Sequence, residues 1–570
     1  MYFRAMNIDV LKVIPRAFRA KGCLVTLTIF VRALLNFVGL AALLPVLYLI
    51  LDIDAVHTNP IAQRVYDGLG FTSDKAFVVA VAVAMVVLIV VKNLLGLLLY
   101  RVERDYIYSL YRYLSRNLYI DYFNRGLSFI KSSNSAVLAR NVNVVCYTFV
   151  SGVLRPMAAI FSELMLFVML FAAITIYSPI AAVLSMAIFI PALWLYFTLV
   201  RQRVNRYGRT ENEAQRRKSR DVIETYRGYA DIKINNAFGR MLESFDRNVD
   251  TIVSVGAKNA TVATLPHTIT EVGLAVGMAL LVSLSVFVES SDMKMIFGVF
   301  AVAALRLLPS IRAIMGSWTS LRYNKYAIKI IRDASISTKR KAENDSAERL
   351  DFRKEIRVEG LSFRFADSDH DTLHDLTFSI AKGERIGING RSGAGKTTLF
   401  NLLLGLYEPT AGAIYIDGEP LSAANCRKWQ NSIGYVSQSV FLTDSTLLAN
   451  IALGCREEEI DMERVERAVR MASLDEFVRE LPKGLESRIG ECGALLSGGQ
   501  RQRIGIARAL YKQAEVLFFD EATSALDNET EQSINHSIEA LSQADSTLTI
   551  VVIAHRESSL SYCDRVITLK

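Results

Sequence analysis

The chain has 570 residues, 51% of them hydrophobic, a net charge of +8 and six cysteines. That length fits several domains, and the apolar share excludes an ordinary soluble or disordered chain. Cys23, Cys146, Cys426, Cys455, Cys492 and Cys563 form no C-x-x-C pair, which argues against zinc and structural disulfides, and the basic excess flanks apolar runs, so nucleic acid is the weaker explanation for it.

Residues 1–22 carry Arg4, Lys12, Arg16, Arg19 and Lys21 against one acid, Asp9. The apolar run at about 23–50 that follows is long enough to cross about 30 Å of hydrocarbon. The basic flank places the N-terminus in the cytoplasm, and the run is too long for a cleaved signal. Residues 52–75 are polar, but Ile61, Val65 and Leu69 recur every four residues. That spacing fits either a short amphipathic helix on the outer membrane surface or a loop with a few apolar contacts.

Further runs at about 76–100, 156–177, 179–200, 264–289 and 294–318 bring the expected crossings to six. Residues 101–155 and 201–260 are long, basic inner segments; Ser178-Pro179 and Ser290-Ser291-Asp292 are short outer turns. The inner segments read as crossing helices that continue into the cytoplasm, where twenty extra residues reach roughly 30 Å. Stretches 134–142 and 222–230 are the expected contact points with a soluble domain. A few polar residues interrupt the runs: Arg32 and Asn36, Lys92 and Asn93, Glu163, His267 and Glu271, and Arg306. A charge at the bilayer centre costs roughly 2.5–3.5 kcal/mol, so such residues face protein or a watery cavity. Two readings stand: pairing between helices, for example Arg306 with Glu271, or a cavity that binds an anionic group. Residues 1–320 are thus expected to form a polytopic α-helical membrane domain, 321–350 a charged linker, and 351–570 a soluble α/β domain.

In the soluble part a strand pattern begins at Phe352 and ends near Phe365, whose ring could stack on an adenine or fill an edge-strand core. Arg385-Ile386-Gly387-Ile388-Asn389 is a short apolar strand. Gly390-Arg391-Ser392-Gly393-Ala394-Gly395-Lys396-Thr397-Thr398 follows and fits G-x-x-x-x-G-K-[ST]. Glycines let successive N–H groups turn inward on an anion, and the next helix adds its positive end. Lys396 would reach the β and γ phosphates of a nucleotide and the Thr397 hydroxyl would hold Mg²⁺. Leu496-Ser497-Gly498-Gly499-Gln500 opens a second helix and is a second anion site. Val516-Leu517-Phe518-Phe519-Asp520-Glu521 reads as a buried parallel strand that delivers two carboxylates. Asp520 would help hold Mg²⁺ and Glu521 would polarise the attacking water. Two phosphate sites in one domain are useful together only if two copies share each nucleotide, which points to a dimer.

Loop, Leu-Ser-Gly-Gly-Gln and acid-ended strand together resemble the ATP-binding cassette of ABC transporters, an α/β P-loop fold with a helical subdomain. The resemblance covers residues 352–569. It implies that Gln438 senses Mg²⁺ and couples to the membrane domain, that Ser524-Ala525-Leu526-Asp527 contacts a second cassette, and that His555 contacts the γ-phosphate. It also places Phe365 at the family's aromatic position. Six crossings followed by one cassette resemble an exporter half-transporter. The intact Glu521, His555 and Leu-Ser-Gly-Gly-Gln imply an active homodimer rather than a degenerate partner. The membrane part is similar to bacterial flippases for lipid-linked oligosaccharides in Pro266-His267-Thr268-Ile269-Thr270-Glu271, in Arg306-Leu307-Leu308-Pro309-Ser310 and in the piece at 61–69. That likeness implies a pyrophosphate contact for Lys92 and Arg306. His267 stands where the group can have Arg, Arg312 is offset by one, and Arg32 is a further candidate cation. The expectation is an ATP- and Mg²⁺-dependent exporter or flippase of an amphipathic, lipid-linked substrate in the inner membrane, with a cytoplasmic cassette, lipid contacts and no nucleic-acid partner. Multidrug or peptide export remains open, as does a nucleotide-gated channel or regulator.

Overall fold

A backbone inside hydrocarbon must bond to itself, and long apolar runs therefore become long helices. The structure, a computed structural model, describes residues 10, 13–42, 57, 60–177, 179–287, 292–335, 348–365, 368–521, 528–544, 546–554, 560, 561 and 563–569. His555, Ser524–Asp527, residues 43–50 and residues 336–347 of the expected linker lie outside them, as does the side chain of Arg306; residues 321–323 and 325–335 of that expected linker are helical. The chain divides into two units, Met1–Arg125 with Phe129–Lys341 and Gly126–Ser128 with Ala342–Lys570. Stretches 134–142 and 222–230 both fall in the first.

The main helices of the first unit are α1 (Arg16–Ala41), α2 (Pro60–Gly68), α3 (Asp74–Asn124), α4 (Ser135–Arg140), α5 (Arg155–Tyr177), α6 (Pro179–Arg227), α7 (Phe238–Phe287), α8 (Asp292–Tyr323) and α9 (Lys325–Ser335). The six expected runs fall on α1, α3, α5, α6, α7 and α8. Among the described residues, Arg16–Gly39, Asp74–Asn124 and Ser135–Ile176 are long and apolar enough to cross a membrane. The other three runs lie on helices of 49, 50 and 32 residues, some of whose apolar side chains fall outside the described residues. At 51 residues α3 is about 77 Å long, far more than one bilayer core needs. The segments expected to be inner extensions are thus helix, as the charge at helical spacing indicates. Pro191, Pro266 and Pro309 sit inside α6, α7 and α8, where packed neighbours can re-satisfy the freed carbonyls.

The piece at 60–68 is a helix, as its period of four suggests. Tyr66 is buried edge-on against Phe77 at 5.3 Å, while Val65 and Leu69 stay exposed. The core of the unit gathers Phe149, Tyr196, Leu307, Ile311, Met315 and Leu321. Buried Tyr196 and Thr319 join α6 to α8 through hydroxyls 2.6 Å apart. The buried Asp221 carboxylate of α6 accepts from Asn248 of α7 at 2.8 Å.

Two short π-helical segments, Asn141–Val145 and Val150–Leu154, follow α4. Close by, α6 crosses the end of α8 at Gly208: a Cβ there would stand 1.8 Å from the Tyr323 carbonyl oxygen. Only a bare Cα fits, so Gly208→Ala is expected to force the helices apart at a cost of about 1–3 kcal/mol. Gly256→Ala on α7, where nothing lies within 4 Å of the added carbon, is the control. Thermal unfolding in detergent should fall for the first variant and hold or rise for the second; equal behaviour would refute the close crossing.

The second unit is an α/β domain. Its strands are β1 (Glu355–Phe363), β2 (Leu373–Ala381), β3 (Arg385–Gly390), β4 (Ala411–Ile416), β5 (Glu419–Pro420), β6 (Ile433–Val436), β7 (Val516–Asp520), β8 (Thr549–Ile553) and β9 (Arg565–Leu569). Its helices include α10 (Lys396–Leu403), α11 (Met462–Met471), α12 (Gly498–Tyr511) and α13 (Asn528–Ala544). A parallel sheet runs β6-β7-β8-β3-β9, and an antiparallel sheet runs β2-β1-β4-β5. Every residue of β7 and β8 is buried, which is why their sequences are unbroken apolar runs rather than alternating ones. One core packs Phe400 edge-on to Phe518 and encloses Trp429, whose indole N–H donates to the Leu403 carbonyl at 2.7 Å. A second, under α11 and α12, gathers Val465, Val469, Ile504 and Ile506 with Ile534 of α13.

Candidate functional site

In a parallel sheet the loops beyond the C-terminal strand ends converge on one edge. Here those loops carry the motif residues: Gly390–Thr398 follows β3, Gln438 follows β6, and Asp520–Glu521 closes β7. The β3 loop turns through Gly395 at φ +83°, the residue before α10, where a Cβ would meet the Thr372 carbonyl at 3.0 Å. Arg391, Ser392 and Gly393 are exposed, Ala394, Gly395 and Thr398 half-buried. Lys396 is buried, and its ammonium donates back to the Gly390 carbonyl at 2.8 Å and that of Arg391 at 3.2 Å. The cation is therefore already held over the loop that the motif shapes for phosphate.

Four of the expected site residues are brought together in pairs across the sheet. The Thr397 hydroxyl donates to the Asp520 carboxylate at 3.5 Å, and the Gln438 amide donates to the Glu521 carboxylate at 2.7 Å. Asp520 is almost fully buried. Burial, added to by the Asp520 charge, pushes the Tyr435 hydroxyl pKa up, so this ring stays neutral beside the acid. Glu521 has φ +51°, a left-handed conformation rare for a residue with a side chain. Its own N–H still bonds the Ile553 carbonyl of β8 at 2.9 Å, so the chain leaves the sheet at this residue. Such strain is typical of positions whose surroundings over-determine them. Thr397, Asp520 and Gln438 offer oxygen atoms, the donor set that Mg²⁺ takes.

Ser497 caps α12. Its hydroxyl accepts from the Gln500 N–H at 3.2 Å while the Gln500 side chain accepts from the Ser497 N–H at 2.8 Å. This reciprocal box is legible in the Ser-x-x-Gln spacing. Gly498 and Gly499 occupy the first helical positions without side chains over their N–H groups. Phe365 is half-buried and held edge-on by Phe363 at 4.9 Å and by Tyr407 at 5.8 Å.

Sequence reading gave no role to Arg508 of α12. Its guanidinium donates to the Phe441 carbonyl at 2.9 Å and that of Asn450 at 2.8 Å, and burial lowers its pKa. It ties the Leu-Ser-Gly-Gly-Gln helix to the segment after Gln438. Its partners are 58 and 67 residues away, so no local pattern could have revealed them.

In the membrane unit, Arg32 is bound: its guanidinium lies 2.7 Å from the buried Glu103 carboxylate and over the Tyr100 ring. This is pairing between helices, through a carboxylate that sequence reading did not single out. His267 sits 3.4 Å from Glu271, one turn along α7, and both are exposed. The Arg312 guanidinium donates to the buried Thr270 hydroxyl at 2.6 Å. Lys92 is half-buried, and its side chain lies across α1 at Gly39.

A helical unit with membrane-length apolar helices and a P-loop cassette with a capped Ser-Gly-Gly helix define an exporter-type ABC half-transporter architecture. A family model for the ABC transporter domain matches residues 373–524. Two similar proteins are ATP-dependent lipid A-core flippases. That of Cupriavidus pinatubonensis is 32% identical over 390 residues, which is 68% of this chain and 65% of that protein. That of Ralstonia nicotianae is 30% identical over 465 residues, 80% of this chain and 77% of that protein. The match thus spans just under two thirds of the first relative's length and over three quarters of the second's. A solved structure of a bacterial Atm1-family ABC exporter with ATP bound superposes with a TM-score of 0.79, covering 98% of this chain and 94% of that one at 22% identity. The chain belongs to the ABC transporter family.

Proposed function

We propose that the chain is an ATP-driven flippase of an amphipathic, lipid-linked substrate, working as a homodimer in the inner membrane with its cassettes in the cytoplasm. The observation that carries the ATP-hydrolysing part is the Glu521 carboxylate held 2.7 Å from the Gln438 amide, beside Asp520 and the Lys396 loop. Each nucleotide would sit between the Gly390–Thr398 loop of one chain and the Ser497 helix of the other. Lys396 and the loop N–H groups would bind the phosphates, and Phe365 would stack on the adenine. Glu521 would take the proton as water oxygen attacks the γ-phosphorus and the bond to the bridging oxygen breaks, with His555 contacting the γ-phosphate. Mg²⁺ on Thr397, Asp520 and Gln438 would offset the phosphate charge. Closing of the cassettes would turn the membrane cavity outward.

Support for a lipid-type cargo comes from the two flippase relatives and from α2, whose Val65, with Leu69 just past its end, is exposed beyond the first crossing. Lys92 and Arg306 are the proposed cations for the substrate's pyrophosphate and His267 a further candidate, while Arg32 is paired with Glu103. The test is reconstitution with lipid A-core glycolipid, polyprenyl-pyrophosphate glycan, drugs and peptides, reading hydrolysis and movement together. A lipid-linked glycan should stimulate hydrolysis several-fold and be moved, and Lys92→Ala should lower the stimulation. Stimulation by drugs or peptides alone would point to multidrug or peptide export.

A further inference from the structure

The first unit contains a cavity of about 570 Å³ unrelated to the nucleotide loops. It lies among α4, α6 and the α8–α9 junction, next to the Gly208 crossing, and Arg140, Glu211, Asn212, Lys218, Tyr323 and Asn324 are among its lining residues. Its volume is in the range of small-molecule sites.

The wall carries two cations, Arg140 and Lys218, and one acid, Glu211. Arg140 donates to the Asn212 side-chain oxygen at 2.6 Å, which fixes its guanidinium at the cavity. Burial raises the pKa of Glu211, against the smaller opposing effect of Arg140. With two cations against one acid, the wall is net positive whichever way Glu211 is protonated. Other lining groups include side-chain amides and hydroxyls that can also donate.

We infer that this cavity is a binding site for a compact, soluble anion bearing phosphate or carboxylate groups. Depth distinguishes the source. Glu211 lies eleven residues beyond the end of the fourth expected crossing at 200, about 16 Å along a helix. The headgroup layer adds only about 5–8 Å to each side of the hydrocarbon core. With the crossing ending at 200, a lipid phosphate sits too high, and a dissolved anion is the source that fits this depth. The site joins α4, α6 and the α8–α9 junction, so an anion bound there stiffens the helices that carry motion through the inner extensions.

The test uses the full-length protein in detergent, with citrate and inorganic phosphate as probes at matched ionic strength, read by titration calorimetry and thermal unfolding. A parallel arm uses nanodiscs with and without phosphatidic acid. Citrate is expected to bind once per chain and to raise the unfolding temperature. Arg140→Ala and Lys218→Ala should each weaken citrate about tenfold, with partial rescue in Arg140→Lys. Glu211→Gln should bind at least as tightly as the parent, and Lys396→Ala should bind citrate normally, which separates this site from the nucleotide loop. Calorimetry is compared only among variants that remain monodisperse and cooperative without anion, and either cation variant suffices. No citrate binding, or parent-like binding in both cation variants, overturns the assignment. Binding of phosphatidic acid alone overturns the soluble source.

Discussion

Glu521→Gln is expected to keep ATP on the protein while cutting its hydrolysis by about 10²–10⁴-fold, the usual contribution of a positioned proton acceptor. The replacement is close to isosteric, and it can turn its amide oxygen to the Gln438 N–H now bonded to the carboxylate at 2.7 Å. It also inherits the left-handed turn at φ +51° with no new steric demand. What is lost is a basic oxygen next to the attacking water. In the proposed dimer, binding would rest on other groups: the Lys396 ammonium over the loop, the loop N–H groups and the capped α12 of a second chain. Retained nucleotide and single-turnover hydrolysis should therefore part company, with nucleotide retained at parental affinity or tighter. Parental turnover in this variant would remove Glu521 from its role and leave its strained backbone unexplained.

How much of this was legible in the sequence depended on how local each feature is. The β3 loop, the Ser-x-x-Gln cap and the acid-ended β7 are contiguous, and their spacing alone set their place on strand, turn and helix. The period of four at 61–69 fitted a helix or a loop equally, and the structure has the helix, α2. The bonds between motifs were not legible. Gln438 meets Glu521 across 83 residues, and Arg508 reaches carbonyls 58 and 67 residues away, because sheet order and not spacing sets those distances. Polar residues in apolar runs were the hardest. A uniformly apolar helix carries no signal for its rotation about its own axis. The sequence could show that Arg32 needs a partner, but not that Glu103, on the next long helix, provides it. The two π segments after α4 leave no mark in composition at all.

The proposed composite nucleotide site makes a sharper prediction, testable with two affinity tags that isolate mixed dimers. Let one chain carry Lys396→Ala, which removes the ammonium bonded to Gly390 and Arg391, and let its partner carry Gly498→Asp, which puts a negative charge on the first turn of α12. If each site takes its loop from one chain and its capped helix from the other, both lesions fall in the same site. The remaining site is intact, so about half of the parental turnover is the upper bound, provided one site can fire alone. Now place both substitutions in one chain and leave the partner unaltered. Each site then holds one lesion, and turnover should drop to background. A chain that hydrolysed ATP with its own Ser497 helix would give the opposite order: no activity in the first pairing, half in the second. An acid at Gly498 acts against a bound phosphate through direct charge repulsion at the positive end of α12, so the loss should persist at saturating ATP. The comparison needs no assumption about cargo, because basal hydrolysis is enough to read the order of the two mixed dimers.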